Sequence, residues 1–469
     1  MSASVVYVWK WVGLEASEKT SQAQPSEDRP VHGPRRGGGR RFNAVCAAAA
    51  LAWMLGVLLP YTLAKPQNDD FPQLYMAGVV AAERAWSGLY RHGPRDQHAA
   101  DDLDSTSTPS ATSAPGSSGG VVRPLPSYDQ LRRERGVPEL NPTIYPPPVA
   151  FLMLPLGLMS FDSARVVFAA VAGVCAWVSA VQAGWVHRLL WGRRSRAEGL
   201  LILAICLSPL MVRGMRVMNI SLVLGPLLGA ALLAMLGQKP TRSAAAICLA
   251  GVFRASSGPL VLVQAGLGRW KSLAWITAAT AAVLGLTLAA VGGGPVVEFA
   301  SRGLPIALQP YPMTNNQSAG AFCVRAGWLS RDAARWVSAV GVLLLVAGGV
   351  RLFAVRRRAA ASPAAVAAAG LAMMSVWFAF SPIFWTHYHL MLTAWWGFLL
   401  WSLRGAGVVP RVVVGVAWLS VAVPIAVAGG GRYVTAEPWR SHILLGSLVI
   451  AGWSWGQLER LTRRRLTAA

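Results

Sequence analysis

The chain has 469 residues, of which 54% are hydrophobic and only 13% are charged. A soluble globular domain carries about 25% charged residues, so this composition excludes one, along with collagen, a coiled coil and a wholly disordered chain. Lysine and arginine number 43 against 20 acidic residues, for a net charge of +23. In a protein rich in apolar segments, this excess indicates cytoplasmic loops and not nucleic-acid binding.

The first elements predict a membrane anchor. Residues 1–41 are polar and end in a basic run, which predicts a cytoplasmic N-terminal segment. The charge-free apolar stretch 42–64 is longer than the apolar core of a secretory signal peptide. The polar segment that precedes it is also longer than the start of a signal peptide. The stretch 42–64 is therefore predicted to be an uncleaved first membrane helix, with the following loop, 65–144, outside the cytoplasm.

Two different segments make up this first outer loop. Apolar residues recur at spacings of three and four over 71–90, which predicts a helix that lies on the membrane surface or packs on the transmembrane bundle. Residues 93–140 are acidic, then rich in Ser, Thr, Pro and Gly, and then charged. Such a composition buries too little apolar surface to fold alone, so a disordered insertion is predicted.

Further apolar segments predict an all-α, polytopic transmembrane bundle of about 12 spans with both termini inside. The membrane domain covers 42–460, and a basic cytoplasmic tail covers 461–469. The segments after the first are 145–160, 162–187, 198–213, 219–236, 243–268, 272–292, 334–353, 364–380, 387–403, 411–428 and 441–457.

The orientation of the middle segments stays open between two alternatives. If 145–160 spans fully and 243–268 crosses once, the basic cluster 193–196 faces outside, against the positive-inside rule. If 145–160 is re-entrant and 243–268 is a hairpin with Arg254 at its outer tip, that cluster faces inside. Both alternatives give an even number of crossings.

Acidic residues lie near segment ends or in loops, which argues against a carboxylate relay through the membrane and favours an enzyme at one membrane face. Four polar or aromatic clusters map to the same outer face in this topology. Each alone has a structural interpretation as a helix start, a solvated loop or an interfacial belt. The clusters are Asn68-Asp69-Asp70, 145–148, 311–318 and 381–389.

The strings DFPQLYMAG, WSGLY, YPPPVAFLMLPLGLM, NNQS and SPIFWTHYH resemble, in order and spacing, bacterial glycosyltransferase family 87. That family is also known as domain of unknown function 2029 and includes actinobacterial polyprenol-phosphate-mannose-dependent alpha-mannosyltransferases. The resemblance runs from Phe42 to about Leu403. It implies a GT-C architecture, with a catalytic carboxylate in the first outer loop and a polyprenyl-phosphate sugar donor used outside the cytoplasm.

The chain departs from the family pattern in three places. Of the common Gly-Gln-x-Asn motif it keeps only Asn219, it has Arg254 where Lys is frequent, and the insertion 93–140 is atypical. These departures concern the identity of the substrate more than the type of reaction.

Glycosyl transfer to a hydroxyl needs a base, and Asp70, which matches the family's Asp before Phe, is predicted to be that base; helix capping is its alternative role. Arg254 is predicted to pair with the leaving phosphate, and a snorkelling cation is the alternative. His387 and His389 are predicted to bind phosphate or sugar hydroxyls, or to be structural. The other candidate sugar or lipid contacts are Asp69, Tyr75, Tyr145, Asn219, Asn316, Gln317 and Trp385.

No cofactor is predicted. No CxxC pair indicates a zinc site or a disulfide framework, and although Asp69, Asp70 and a histidine could gather a divalent metal, no ligand spacing indicates one.

The leading hypothesis is a cell-membrane glycosyltransferase with its active site on the extracytoplasmic face. Its donor would be a polyprenyl-phosphate sugar, with mannose as the first candidate, and its acceptor would be an envelope glycolipid or polysaccharide. Its third partner would be the lipid bilayer. An arabinofuranosyltransferase, a lipid-linked oligosaccharide ligase and a transporter or flippase of lipid-linked sugars are the alternatives. The transporter predicts internal repeats and a continuous polar path, and the sequence has no visible repeat.

Overall fold

A computed structural model describes residues 38–64, 70–86, 89–90, 128–137, 145–310, 316–422 and 441–463. Over these ranges the chain is helical and has no β-strand, which confirms the predicted all-α class. The α-helices are α1 Gly38–Trp53, α2 Leu59–Ala64, α3 Phe71–Ala82, α4 Tyr128–Glu134, α5 Pro147–Gly157, α6 Phe161–Trp191, α7 Arg196–Cys206, α8 Pro209–Val217, α9 Ser221–Leu236, α10 Pro240–Phe253, α11 Gly258–Gly266, α12 Trp270–Val291, α13 Gly293–Glu298, α14 Leu304–Ala307, α15 Ala319–Arg325, α16 Arg331–Ala354, α17 Arg356–Ala360, α18 Pro363–Phe380, α19 Trp396–Ser402, α20 Val408–Ala422 and α21 His442–Arg463. Two π-helical turns, Met54–Leu58 and Phe299–Gly303, and two 3₁₀ segments, Ala255–Ser257 and Thr386–Trp395, join some of them.

Within the described residues, five helices are long and apolar enough to cross a bilayer. The bent pair α7–α8, with a 45° break, makes a sixth if it counts as one span. The chain is therefore a multi-pass membrane protein. The predicted number of twelve spans depends on helices too short to pass this test and stays a prediction. The five long helices are Gly39–Ala64, Phe161–Trp191, Trp270–Val291, Arg331–Ala354 and Pro363–Phe380.

Side-chain hydrogen bonds define the two ends of the bundle. Near the start of α1, Asn43 donates from Nδ2 to the Ser195 carbonyl at 3.0 Å and accepts from the Gly199 N–H at 3.1 Å. The basic turn between α6 and α7 thus lies beside the basic start of α1, at what we call the basic end. At the other end, the aspartate end, the Tyr75 hydroxyl donates to the Met159 carbonyl just before α6 begins.

Helices α10 and α11 form an antiparallel hairpin. Nε2 of Gln264 donates to Oγ of Ser243 at 3.0 Å, which places the end of α11 beside the start of α10. Arg254 lies at the tip, where α10 ends and its backbone turns to the extended φ of −164°. The structure thus has the hairpin of the second alternative, and the arginines of 193–196 share an end with those of α1.

Helix α3 is buried on every face, from Phe71 to Ala81. It packs on α5 so closely that a Cβ atom at Gly157 would lie 2.2 Å from the backbone carbon of Gly78. Of the two alternatives for 71–90, the structure has the helix packed on the bundle. The membrane-surface interpretation is compatible with this packing and stays a prediction.

Of the predicted disordered insertion 93–140, the structure describes only residues 128–137. Over 128–137 the prediction was wrong, because Leu131 of α4 and Val137 after it are buried in the core and Arg135 pairs with Glu83 at 2.9 Å. A short amphipathic turn carries too few apolar residues to stand out from a polar loop. The rest of the insertion, most of the N-terminal segment 1–41 and residues 464–469 of the tail lie outside the described residues.

Candidate active site

Asp70 lies at the aspartate end, directly before α3. It occupies the N-cap position, but its side chain makes no capping hydrogen bond, so the capping role is not what orients the carboxylate. The side chain is 20% exposed and its Oδ2 faces Asn219 and His387. This leaves the carboxylate accessible while two other elements hold it.

Asn219 binds the Asp70 carboxylate from the turn between α8 and α9. Met218, with a left-handed φ of 50°, ends α8 and directs Asn219 toward α3. Nδ2 of Asn219 donates to Oδ2 of Asp70, and Oδ1 accepts from the backbone N–H of Ser221 at 2.7 Å and from its hydroxyl at 2.5 Å. Because the oxygen is occupied by donors, only the NH₂ group can face the carboxylate.

His387 approaches the same carboxylate oxygen from a third element. Its Nε2 lies 3.7 Å from Oδ2 of Asp70, and the side chain is only 8% exposed. Among the described residues, this nitrogen has no hydrogen-bond partner. A buried ring nitrogen without a partner is costly, so it is available for a substrate atom or for a tightened bond to Asp70.

Arg254 lies at the tip of the α10–α11 hairpin, beside two tyrosines. Its Cζ is 4.0 Å from the ring centroid of Tyr388, a cation–π contact. Burial, reinforced by the negative charge of Asp70, raises the pKa of Tyr145 well above its usual range. Tyr145 therefore keeps its proton and is a hydrogen-bond donor at neutral pH.

A cavity of about 370 Å³ opens on this group. Arg254, Tyr145 and Tyr388 provide its polar wall, and Asp70 lies close enough to both tyrosines to act on their charge. The remaining wall is mostly apolar and includes Phe253, Phe299, Leu304, Leu308, Trp377, Phe378 and Ile383. The site thus joins a wall that carries a guanidinium and two phenol groups to a mostly apolar one.

Asn316, Gln317 and Trp385 lie where the loop before α15 meets the loop after α18, and their predicted contacts with substrate stay predictions. Asn316 forms an isolated antiparallel bridge with Trp385. Its Nδ2 donates to the Pro382 carbonyl at 3.0 Å, and its Oδ1 accepts from the Phe384 N–H at 2.9 Å. Its amide is therefore engaged in holding the loop that carries His387.

Gln317 continues the same junction through its backbone, whose N–H donates to the Phe384 carbonyl at 2.7 Å. Its side chain is almost fully buried.

His389 and Tyr75 are buried and make contacts with residues other than Asp70. Nε2 of His389 bonds Oγ of Ser447 at 2.8 Å, and its ring packs 5.0 Å from that of Phe384. Tyr75 lies in an aromatic group with Phe71 and ties α3 to the start of α6. Both are placed as core residues. Asp69 lies outside the described residues.

Two residues of the site escaped the sequence prediction. Tyr388 stacks on Arg254, and the charge of Arg213, in α8, acts on His387 together with that of Arg254. The position of Arg213 in an apolar segment, six residues before Asn219, was the signal for it, because an intramembrane arginine is functional by default. Tyr388 lies in a run of aromatic residues, and no feature of the sequence distinguished it from its neighbours.

Within the described ranges, no three His, Cys, Asp or Glu side chains gather as a metal site would require. Asp69 is not among the residues that this statement covers, so the prediction of no cofactor stays a prediction.

Comparison with known proteins identifies the family. No curated protein and no solved structure matches the chain. Residues 143–382, just over half of the chain, match the sequence model of glycosyltransferase family 87. The matched segment contains Tyr145, Asn219 and Arg254 of the site, and Asp70 and His387 lie on either side of it. The chain therefore belongs to glycosyltransferase family 87.

Proposed function

We propose that the protein is an inverting glycosyltransferase of the GT-C type. It transfers a hexose, with mannose as the first candidate, from a polyprenyl-phosphate sugar to a glycolipid or glycan of the cell envelope. Family membership supports glycosyl transfer. The observation that carries the proposal further is the convergence of Asp70, Asn219 and His387 beside the Arg254–Tyr388 pair.

In this mechanism Asp70 is the general base. Its carboxylate takes the proton of the acceptor hydroxyl as that oxygen attacks C1 of the sugar. The C1–O bond to the phosphate breaks, and the phosphate leaves with the bonding electron pair. Asn219 holds Oδ2 of Asp70, so that the base keeps its direction while the proton moves.

Arg254 balances the charge that develops on the leaving phosphate. A guanidinium pairs with phosphate oxygens through two parallel N–H groups, and the ring of Tyr388 fixes its plane. The hydroxyl of Tyr145, which stays protonated, adds a neutral donor on the same wall. Such preorganised donors in a largely apolar cavity stabilise charge better than mobile water does.

The apolar wall of the cavity suits an isoprenoid chain next to the phosphate. Phe299, Leu304 and Leu308 belong to the outer segment between α12 and α15, and Trp377 belongs to the last turn of α18. A lipid donor needs this combination of an anion site and an adjoining apolar surface. A nucleotide-sugar donor would need polar groups for its base and ribose, which this wall does not offer.

We also propose that the chain crosses the bilayer about twelve times, with the aspartate end outside. Contacts at each end support a membrane-crossing position for α21, because they hold its start and its end at opposite ends of the bundle. At the aspartate end Arg325 donates to Oγ of Ser441 at 2.7 Å. At the basic end Arg351 pairs with Glu459 at 2.7 Å. The positive-inside rule then directs the basic end to the cytoplasm.

The decisive experiment compares Asp70→Asn with Asp162→Asn in purified protein. Asp162 is an exposed carboxylate at the same bundle end, and its Oδ1 lies 3.6 Å from a terminal nitrogen of Arg165. Transfer is measured from labelled polyprenyl-phosphate mannose to envelope lipids. We expect Asp70→Asn to lower kcat by about 10³-fold, as loss of a general base does, and Asp162→Asn to leave it unchanged. Unchanged turnover by a folded Asp70→Asn protein would remove Asp70 from this role.

The same assay separates the alternatives. If polyprenyl-phosphate arabinofuranose were the preferred donor, the protein would be an arabinofuranosyltransferase. Use of a polyprenyl-diphosphate donor would indicate a lipid-linked oligosaccharide ligase. In reconstituted vesicles, movement of the lipid-linked sugar across the bilayer without cleavage of its C1–O bond would indicate a transporter and not a transferase.

A further inference from the structure

Two guanidinium groups converge on one tryptophan at the basic end, far along α6 from Asp70. Trp191 is the last residue of α6. Cζ of Arg193 lies 5.3 Å from the centre of its ring, and the guanidinium of Arg404, from the turn after α19, also contacts the ring. The ring of His187 packs on the same indole at 5.1 Å. The cluster therefore joins the ends of α6 and α19 at one point of the surface.

The turns that carry the cluster are held firmly. Gly192, with a left-handed φ of 70°, ends α6 and donates to the Arg188 carbonyl at 2.9 Å. On the other side, Arg411 donates from Nε to the Leu403 carbonyl at 3.1 Å and from a terminal nitrogen to the Arg404 carbonyl at 3.0 Å. These bonds satisfy the carbonyls that end α19 and fix the turn. The two guanidinium groups therefore sit on preorganised backbone.

Within the described ranges, no carboxylate pairs with Arg193 or Arg404. The nearest acidic group of this turn, Glu198, is bonded instead to Asn43 and to the backbone of Ser195. Desolvation and the positive charge of Arg193 lower the pKa of Arg404. Two cations held against one ring repel each other, and an anion placed between them removes that repulsion.

Exposed apolar residues adjoin this charged group. Leu189 precedes Trp191 by two residues on α6 and is 47% exposed. Val408 and Val409 begin α20, a few residues after Arg404, and are 73% and 72% exposed. Tryptophan favours the depth of lipid headgroups, with apolar neighbours below it and charge above. This arrangement fits a molecule that is anionic at one end and carries acyl chains at the other.

We propose that Arg193, Arg404 and Trp191 form a binding site for the headgroup of an anionic phospholipid. The phosphodiester oxygens lie between the two guanidinium groups, the indole lies at the level of the glycerol, and the acyl chains run along Leu189 and Val408. The site is at the opposite end of the bundle from Asp70. The site requires only that this end of the bundle meets a membrane surface. The test of this proposal is therefore independent of the test of the proposed reaction.

The test uses the full chain in detergent and native mass spectrometry with added phosphatidylglycerol or phosphatidylcholine. The variant is Arg193→Gln combined with Arg404→Gln. Its matched control is Arg357→Gln combined with Arg358→Gln, because both of these exposed arginines also lie at the basic end and the loss of charge is the same. We expect the affinity for phosphatidylglycerol to fall by about tenfold or more in the first variant and less than twofold in the control.

Equal affinities of the two double variants would overturn the proposal, since general charge would then account for the binding. Wild-type protein that retains phosphatidylcholine as well as phosphatidylglycerol would also overturn it. Because the double variant could fold poorly, the single variants Arg193→Gln and Arg404→Gln are measured as well. Each is expected to lose about threefold, and wild-type affinity in both would contradict the site.

Discussion

Asn219 donates a hydrogen from its side-chain amide to Oδ2 of Asp70, although 149 positions of the chain separate the two residues. This bond joins the turn between α8 and α9 to the start of α3. Because Ser221 occupies the amide oxygen of Asn219, the amide cannot flip and present its oxygen to the carboxylate. The direction of the base is thus determined by a residue from a different helix pair.

Asn219→Ala is expected to lower kcat by about 10- to 100-fold and to lower Tm as well. The substitution removes a charge-assisted hydrogen bond worth about 1.5–3 kcal/mol, and each 1.4 kcal/mol of lost transition-state stabilisation is about tenfold in rate. Ser221→Ala is the control, since the backbone N–H of residue 221 still holds the amide oxygen. It should cost about threefold or less. Wild-type kcat in a folded Asn219→Ala protein would contradict the positioning role.

His387 and His389 are expected to differ sharply, although only Tyr388 separates them. His387→Gln should lower kcat by about 100-fold, because the ring nitrogen nearest to Asp70 is lost and the amide does not reproduce its position. Its Tm should stay near that of the wild type, since Nε2 has no partner among the described residues. Turnover and thermal unfolding of the purified variants separate these two effects.

His389→Gln is expected to affect stability and not chemistry. Its ring bonds Ser447 on α21 and packs on Phe384, so the change removes a buried hydrogen bond and an aromatic contact, at a cost of about 1–3 kcal/mol. Thermal unfolding should show a lower Tm, while kcat per folded molecule is retained. A loss of kcat as large as that of His387→Gln would place His389 in the site after all.

Arg254→Lys and Arg254→Gln are expected to separate charge from geometry. Lys keeps the positive charge at the hairpin tip but loses the planar stacking on Tyr388 and the two-pronged pairing with phosphate. We expect about a tenfold loss in kcat/KM for Lys and about 10³-fold for Gln, measured with the polyprenyl-phosphate donor. Equal losses would mean that the guanidinium's shape matters and its charge does not.

The long apolar segments were predictable because a stretch of about twenty apolar residues has few other stable solutions. The gathering of Asp70, Arg254 and His387 near one end followed from motif order and topology. The hairpin at Arg254 did not, because the charge rule allowed two orientations of the middle segments. Tyr388 was also missed, because stacking on a particular arginine depends on packing that spacing does not encode.

The burial of α3 was the least predictable feature of the fold. A stripe of apolar residues at helical spacing is the same in a surface helix and in one covered by a neighbour. The covering helix α5 fits only because Gly78 and Gly157 bring the two backbones into contact. Neither glycine looked exceptional in an apolar sequence rich in glycine. The contact nevertheless places the helix that directly follows Asp70.

Gly157→Ala is therefore expected to reduce both stability and activity. Its Cβ would lie 2.2 Å from a backbone carbon of Gly78, and backbone cannot move aside as a side chain does. Overpacking of this kind costs about 1–3 kcal/mol, and the shift of α3 that relieves it displaces Asp70. Gly285→Ala, on α12 with nothing within 4 Å of its Cβ, is the control and should be neutral or slightly stabilising. If Gly157→Ala matched this control in Tm and kcat, the contact between α3 and α5 would not be what positions the base.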